Sequence, residues 1–180
     1  MRPVHSTRTS ALTAGAVALA LAAGLGGAAT SAQGEAPAGV RNYTRVDATV
    51  ACAGATPAEA MPALKELGFA SVINFRTAEE NGANIEGSRA AAEAAGLKYI
   101  HLPFGAPNDD TTEQFLSAVA DPSNQPVYIH CASANRVGAM WFIKRVTQDG
   151  WDQERAMTEA ESIGLSAAGL KEYATAYVNR

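Results

Sequence analysis

VYIHCASANRVGAMW, residues 127–141, is the stretch that decides the fold of this chain. It begins with an apolar run of strand length that leads to His130 and Cys131. Four small or polar residues follow, and Arg136 then opens a segment with helical character. A strand, a short turn and a helix in this order are typical of α/β proteins, which bind ligands beyond the carboxyl ends of their strands.

Strands and helices alternate along the rest of the chain. Apolar runs and period-two patterns predict strands at residues 43–50, 71–75, 98–104 and 126–130. Helices are predicted at residues 56–68, 87–96 and 111–121, and two or three more are expected after Arg136. Thr56 and Glu59 are expected to form a capping box at the start of the first helix. The alternation predicts an α/β fold, a small and mainly parallel sheet flanked by helices with right-handed crossovers.

The first 32 residues have the order of a secretory signal peptide. Arg2 and Arg8 come first, an uncharged stretch rich in Ala and Gly follows at residues 11–30, and small residues stand near Ala32 for cleavage. Because that stretch is only weakly apolar, cleavage is favoured over the alternative of a membrane anchor. We therefore predict an extracytoplasmic protein, periplasmic or secreted, with a flexible tether at residues 33–41 and one catalytic domain at residues 42–180.

The charge balance restricts the partners. The chain carries 18 acidic and 14 basic residues, a net charge of −4, and cleavage would remove two of the arginines. A negative domain argues against a nucleic-acid partner. No membrane partner is expected once the signal is cleaved. Metal and cofactor chemistry is not expected either, because the three histidines have no ligand spacing and no glycine-rich phosphate loop is present.

The loop after the strand that ends at His130 has the residues of a nucleophile facing an anion. A short turn before a helix aims backbone N–H groups at one point, and Arg136 adds a planar fork suited to a tetrahedral oxyanion. Such a field stabilises a thiolate at Cys131. The loop residues Ala132, Ser133, Ala134 and Asn135 are small or polar enough to let an anion approach the backbone.

Cys52 allows two other roles for Cys131 besides that of a nucleophile. In an oxidising compartment two cysteines are often one structural disulfide, so Cys131 is alternatively a half-cystine. A reversible disulfide that protects Cys131 from over-oxidation is also open. Arg136 and the small-residue turn favour the nucleophile, because a disulfide needs neither.

The pattern HC-x-x-x-x-R after a buried strand resembles the cysteine-dependent phosphatases of the dual-specificity kind. More narrowly, the chain resembles the bacterial domains described as beta-lactamase-hydrolase-like, phosphatase-like. LKELGFASVINFRTAEE, AAAEAAGLKYIHLPF and QPVYIHCASANRVGAMW follow that family's order of elements. The resemblance implies that Cys131 attacks phosphorus and that Arg136 holds the phosphoryl oxygens. It also implies a small phosphorylated molecule or a phosphoprotein as the substrate.

The loop departs from the phosphatase pattern in three ways. Four residues separate Cys131 from Arg136 instead of five, Ala134 stands where a glycine is usual, and Val137 replaces a hydroxyl residue. A four-residue loop also resembles rhodanese-like sulfurtransferases, in which Cys131 would carry a persulfide received from a sulfane-sulfur donor. A pseudo-phosphatase that only binds an anion is the third hypothesis. The whole-chain resemblance narrowly favours the phosphatase.

The carboxyl ends of two other predicted strands supply further candidates. Asp109 is predicted to protonate the leaving group, and Asp110 to cap the next helix. Arg76 is a candidate to gather the anion, with an ion pair to Glu79 or Glu80 as its alternative.

Three other side chains have two interpretations each, and a fourth has only a structural one. Ser133 and Asn135 either bind the substrate or stabilise the turn. His130 either tunes the thiol or is a satisfied core histidine. His101 is expected in the core.

Overall fold

The computed structural model describes Met1 and residues 35–180 of the chain. Apart from Met1, the predicted signal peptide at residues 1–32 lies outside the described residues. The described part of the predicted tether is not free of the domain, because Pro37 is buried and Arg41 exchanges backbone hydrogen bonds with Gly54 and Ala55. None of the described helices is long and apolar enough to cross a membrane.

Five strands form one sheet in the order β1-β2-β5-β3-β4. They are β1 Thr44–Arg45, β2 Val50–Ala53, β3 Ser71–Asn74, β4 Lys98–His101 and β5 Val127–His130. Only β1 is antiparallel to its neighbour, which confirms the predicted, mainly parallel sheet. The strand predicted at residues 43–50 is two strands instead, because the Asp47 carboxylate accepts hydrogen bonds from the Thr49 and Val50 amides and fixes a turn between them.

Six α-helices alternate with and follow the strands. They are α1 Met61–Glu66, α2 Ile85–Ala94, α3 Asp109–Ala120, α4 Asn135–Thr147, α5 Gln153–Ile163 and α6 Ala168–Val178. The predicted capping box is wrong, because the Thr56 hydroxyl bonds the Tyr128 hydroxyl at 2.7 Å and the Gly54 carbonyl at 3.1 Å. The cap of α3 is Asn108 rather than Asp110.

The two faces of the sheet are covered by different helices. On one face Ile73 and Ile129 pack with Phe115 of α3 and Met140 of α4. On the other face Val72, Tyr128 and their neighbours pack with α1 and α2. Helices α5 and α6 lie against α4, which brings the start of α6 to the same edge of the sheet as the loop that follows β5.

Close approach of α4 to α5 depends on Gly138. A Cβ added at this position would stand 2.7 Å from the Ala160 carbonyl oxygen and 2.8 Å from Leu165. The glycine is therefore required by packing, and it sets the distance of the last two helices from the loop.

Candidate active site

A cleft of about 680 Å³ opens at the carboxyl edge of the sheet. The loops that follow β3, β4 and β5 contribute to it, as the sequence predicts, and the start of α6 contributes as well. Its lining residues are Thr77, Glu80, Phe104, Gly105, Pro107, Ser133, Asn135, Arg136, Ala167, Gly169 and Leu170. The cleft therefore combines backbone from four segments with one cation and one anion.

The loop at residues 132–134 is held by contacts to its carbonyl groups and leaves its amides unpaired within the described residues. Its carbonyl groups are held from outside: Ala132 accepts from the Ala55 amide at 2.9 Å, and Ser133 accepts from the side-chain amide of Asn42 at 3.1 Å. Among the described residues, no oxygen accepts from the backbone N–H groups of residues 132–137. Six consecutive donors thus remain for an anion, together with the positive end of the α4 dipole.

Ala134 is the residue that reverses the chain before α4. It adopts φ +69°, a left-handed conformation that is costly for a residue with a Cβ. A glycine would adopt this conformation without strain. The side chain of Ala134 is nevertheless fully buried, in contact distance of the backbone around Gly164. The absence of the usual glycine therefore does not prevent the turn from forming.

Glu80 holds the guanidinium of Arg136. Its two carboxylate oxygens accept from Nη1 at 2.6 Å and from Nη2 at 2.8 Å, and Nη1 also donates to the Phe75 and Phe104 carbonyls. Burial raises the pKa of Glu80, but the hydrogen bonds from Arg136 and from the Thr77 amide outweigh it and lower the pKa to about 2. Glu80 is therefore ionised at neutral pH. The sequence interpretation missed this role and considered Glu80 only as a partner of Arg76.

The pair leaves one edge of the Arg136 fork available. No protein oxygen in the described structure accepts from Nε, and Nη2 retains a second hydrogen. Burial lowers the pKa of Arg136, but the hydrogen bonds and charge of Glu80, with a smaller contribution from the Cys131 side chain, raise it overall. The guanidinium thus stays cationic, and it interacts with the Cys131 side chain, while no protein oxygen among the described residues occupies its Nε edge.

Both cysteines are free and fully buried. Cys52 pairs with Ile129 of β5. Cys131 is two positions after Ile129, so Cys52, Ile129 and Cys131 lie on the same face of the sheet. The structure therefore does not contain the disulfide that was the alternative to a nucleophilic Cys131. Burial, followed by the charge of Glu159, raises the pKa of Cys52 well above its usual value. Cys52 is accordingly a neutral core thiol.

Arg76 does not lie in the cleft, which corrects its prediction as a substrate-binding residue. Its three donor groups are used by Glu80, by the Gly82 carbonyl at 3.0 Å and by the Asn81 carbonyl at 2.7 Å. The side chain is buried and closes the loop that follows β3. Its role is to position Glu80, so the predicted ion pair describes it better than the predicted anion contact.

The histidines lie away from the reacting groups. His130 is buried on the face opposite Cys131 and lines a separate cavity of about 230 Å³. Neither of its ring nitrogens has a hydrogen-bond partner within the described chain. Burial and the charges of Arg76 and Arg136 lower the pKa of His130 to about 3, so the ring is neutral. His101 is half-buried, with Nε2 at 2.8 Å from the Arg76 carbonyl oxygen.

Asp109 begins α3, two residues after Pro107 of the cleft. Its carboxylate bonds to Arg180 and to the Tyr173 hydroxyl, the latter at 3.3 Å. Neither Asp109 nor the buried Cys131 lines the cleft. Cys131 interacts with Arg136, whereas the predicted acid is held by partners from the C-terminal end of the chain.

The polar loop residues stabilise the turn. The Asn135 side-chain oxygen accepts from the Ser166 and Ala167 amides, both at 2.7 Å, and ties the loop to the start of α6. Ser133 is exposed at the rim of the cleft, where its hydroxyl can meet a ligand. Val137, which stands where a hydroxyl residue is usual, is fully buried in the core. Within the described residues no group of three or more His, Cys, Asp or Glu is placed to hold a metal ion.

Comparison with known proteins identifies a family. Residues 42–148 match the family described as beta-lactamase hydrolase-like protein, phosphatase-like domain. No curated protein matches the chain. The match includes the strand, the cysteine loop and α4, and it ends before α5 and α6.

Solved structures share the fold. TpbA of P. aeruginosa is 23% identical, with a TM-score of 0.60, over 77% of this chain and 84% of that protein. A cysteine-to-serine variant of TpbA was solved in complex with phosphotyrosine, at 23% identity, 76% and 82% coverage and a TM-score of 0.59. The core catalytic domain of the PP-IP phosphatase Siw14 of S. cerevisiae is 18% identical, with a TM-score of 0.61, over 76% of this chain and 85% of that domain. At these identities the likeness establishes the fold.

Proposed function

The chain belongs to the family of the phosphatase-like domain of beta-lactamase hydrolase-like proteins, and we propose that it hydrolyses phosphate monoesters through a phosphocysteine at Cys131. The family and the fold are those of cysteine-dependent phosphatases, so the enzyme is a hydrolase. The observation that carries the proposal is the cradle of six free N–H groups beside the available edge of Arg136.

The first step forms the bond between the Cys131 sulfur and phosphorus while the ester P–O bond breaks. Nε and Nη2 of Arg136 and the loop amides donate to the equatorial oxygens, whose charge they stabilise in the transition state. These donors are fixed before substrate arrives, since Glu80 holds the guanidinium and external donors hold the loop carbonyls. Fixed dipoles do not reorganise during the reaction, which is why such a site accelerates it.

Asp109 is the group that we assign to protonate the leaving oxygen. Its carboxylate must exchange Arg180 and Tyr173 for the substrate during the reaction. In the second step water gives a proton to the Asp109 carboxylate and attacks phosphorus, the S–P bond breaks, and phosphate and the thiolate are released. An Asp109→Asn variant should lose more activity on alkyl phosphates, whose leaving oxygen requires a proton, than on 4-nitrophenyl phosphate.

The substrate is proposed to be a small phosphorylated molecule or a phosphoprotein. The solved relatives support this range, since the TpbA complex holds phosphotyrosine and Siw14 is a PP-IP phosphatase. We also propose that the protein acts outside the cytoplasm, on the residue order of positions 1–32. The mass of the protein recovered from the exported fraction tests this, and a full-length chain retained in the cytoplasm would contradict it.

The loop of four residues favours a second candidate function, sulfur transfer through a Cys131 persulfide. Thiosulfate as donor and cyanide as acceptor test it, with thiocyanate as the product. Thiocyanate formation that depends on Cys131, without release of phosphate from any ester, would replace the phosphatase proposal.

The test of the phosphatase uses the full chain with reductant present and 4-nitrophenyl phosphate as substrate. Cys131→Ser is expected to lower kcat at least about a thousandfold. Cys52→Ser is the matched control, because it changes the other buried thiol and should retain turnover. Rapid quenching should trap wild-type protein heavier by one phosphoryl group. Phosphate release that survives Cys131→Ser would refute the mechanism.

A further inference from the structure

The start of α6 is a wall of the reaction cleft that the family match does not include. The match ends at residue 148, whereas α6 begins at Ala168. Ala167, Gly169 and Leu170 nevertheless line the cleft together with Arg136. Part of the substrate's surroundings is therefore supplied by a segment that lies outside the residues matched by the family model.

Helix α6 is attached to both loops that form the rest of the site. Asn135 of the cysteine loop accepts from the amides of Ser166 and Ala167. Tyr173 donates to the Asn108 carbonyl at 2.9 Å, and its ring packs on Phe104 at 6.1 Å between centroids. Because these contacts join the wall to the cradle and to the loop after β4, α6 has a fixed position relative to a bound phosphoryl group.

The charged side chains that line the cleft form one ion pair with each other. Glu80 and Arg136 are the charged residues among those that line it, and they bond to each other. The other lining residues are uncharged, and Phe104, Pro107 and Leu170 provide apolar surface. The phosphoryl group has the loop amides and the free edge of Arg136. A second anionic group on the leaving part of the substrate would find no further cation on the walls and would lie near the ionised Glu80.

We propose that the first turn of α6 is a specificity wall, which selects phosphate monoesters with an uncharged, apolar leaving group and rejects those with a second anionic group. This inference rests on the proposed phosphatase function. A cleft of about 680 Å³ with apolar surface accommodates an aromatic ring beside the phosphoryl site. Gly169 and Leu170 are the residues of α6 that set the character of this wall.

A matched pair of substrates measures the selection. Phenyl phosphate and 4-carboxyphenyl phosphate have the same ring and differ by one carboxylate. For the wild-type enzyme we expect kcat/KM to be at least about fivefold lower on the carboxylated ester, the factor that corresponds to about 1 kcal/mol. The difference should narrow as salt is added, because the repulsion acts through solvent-exposed space.

A cation placed on the wall should reverse the selection. Gly169→Arg is suited to this test, since a Cβ at Gly169 meets no atom within 4 Å and the replacement favours the helix. We expect it to raise kcat/KM on the carboxylated ester about fivefold relative to phenyl phosphate. Ala176→Arg is the control, because it adds the same charge to an exposed position about 10 Å further along the same helix.

Two outcomes would overturn the inference alone. One is equal kcat/KM on the two esters with the wild-type enzyme, and the other is the same substrate ratio in Gly169→Arg and Ala176→Arg. If neither ester gave phosphate release dependent on Cys131, the proposed function would fail, and the inference would fail with it.

Discussion

Replacing Glu80 by glutamine tests the reasoning about the site more directly than replacing the nucleophile. The substitution keeps the shape of the side chain, removes its charge and leaves one oxygen where Arg136 now has two. The guanidinium would lose its bidentate partner but keep the Phe75 and Phe104 carbonyls. We therefore expect a lower free energy of unfolding and a less precisely oriented guanidinium of Arg136.

The pKa of Glu80 gives the size of the effect on stability. Burial raises it, but Arg136 and Thr77 bring it from 4.5 down to about 2, a difference that corresponds to about 3 kcal/mol. Because 24% of the side chain is exposed, solvent screening reduces the contribution to about 2 kcal/mol. The folded-state pKa is the lower one, so the contribution is present above about pH 4.5 and is lost as the pH falls towards 2.

Urea denaturation at a series of pH values measures this directly. Glu80→Gln should lower the free energy of unfolding by about 2 kcal/mol at pH 7, and its difference from wild type should shrink below about pH 4.5. kcat/KM should fall about tenfold to a hundredfold, because a misplaced guanidinium stabilises the transition state poorly. Glu79→Gln is the control, since Glu79 is exposed. A stability difference that stays constant from pH 7 to pH 3, or an unchanged kcat/KM, would refute the reasoning.

Three further substitutions probe the loop and its support. Arg136→Lys should lower kcat/KM about 10²- to 10³-fold, since a point charge replaces the fork, and orthovanadate inhibition should weaken in parallel. Ala134→Gly should raise the free energy of unfolding by about 0.5–1 kcal/mol. Glycine adopts φ +69° without strain, and this gain exceeds the loss that comes from the greater freedom of glycine in the unfolded chain. A urea unfolding midpoint that moves to a lower concentration would contradict this. Gly138→Ala should cost about 1–3 kcal/mol, because its Cβ would meet the Ala160 carbonyl oxygen at 2.7 Å, and an unaltered unfolding midpoint would show that α4 and α5 can separate freely.

The sequence was sufficient for features that depend on neighbouring residues. The alternation of apolar runs and helical patterns predicted the parallel strands β3, β4 and β5, and the loop from Cys131 to Arg136 lies at their carboxyl edge as expected. Local patterns failed where a distant group competed for the same atom. Thr56 had the sequence of a helix cap, yet its hydroxyl bonds Tyr128, which is 72 positions away in the chain.

The contacts of the site that the sequence did not predict also involve residues that are distant in the chain. Glu80 and Arg136 are 56 positions apart, and nothing in the spacing of either shows that they meet. The sequence leaves Asn135 open to both interpretations because its partners, Ser166 and Ala167, immediately precede α6, whose position depends on packing against α4. Contacts of this kind are fixed by tertiary packing, which local propensity does not encode.

The length of the cysteine loop is a local feature that does not by itself predict the reaction. Four residues between Cys131 and Arg136 indicate a smaller ligand than phosphate, but the loop still presents six consecutive amides that have no partner among the described residues. A persulfide sulfur and a phosphoryl group would both use these amides, so the loop length alone does not separate the two reactions. The fork held by Glu80 adds a preference for a tetrahedral anion, because Nε and Nη2 match two adjacent oxygens, which a bound persulfide sulfur does not have. Both a phosphate ester and thiosulfate offer such oxygens, so the assay of the two reactions is what distinguishes them.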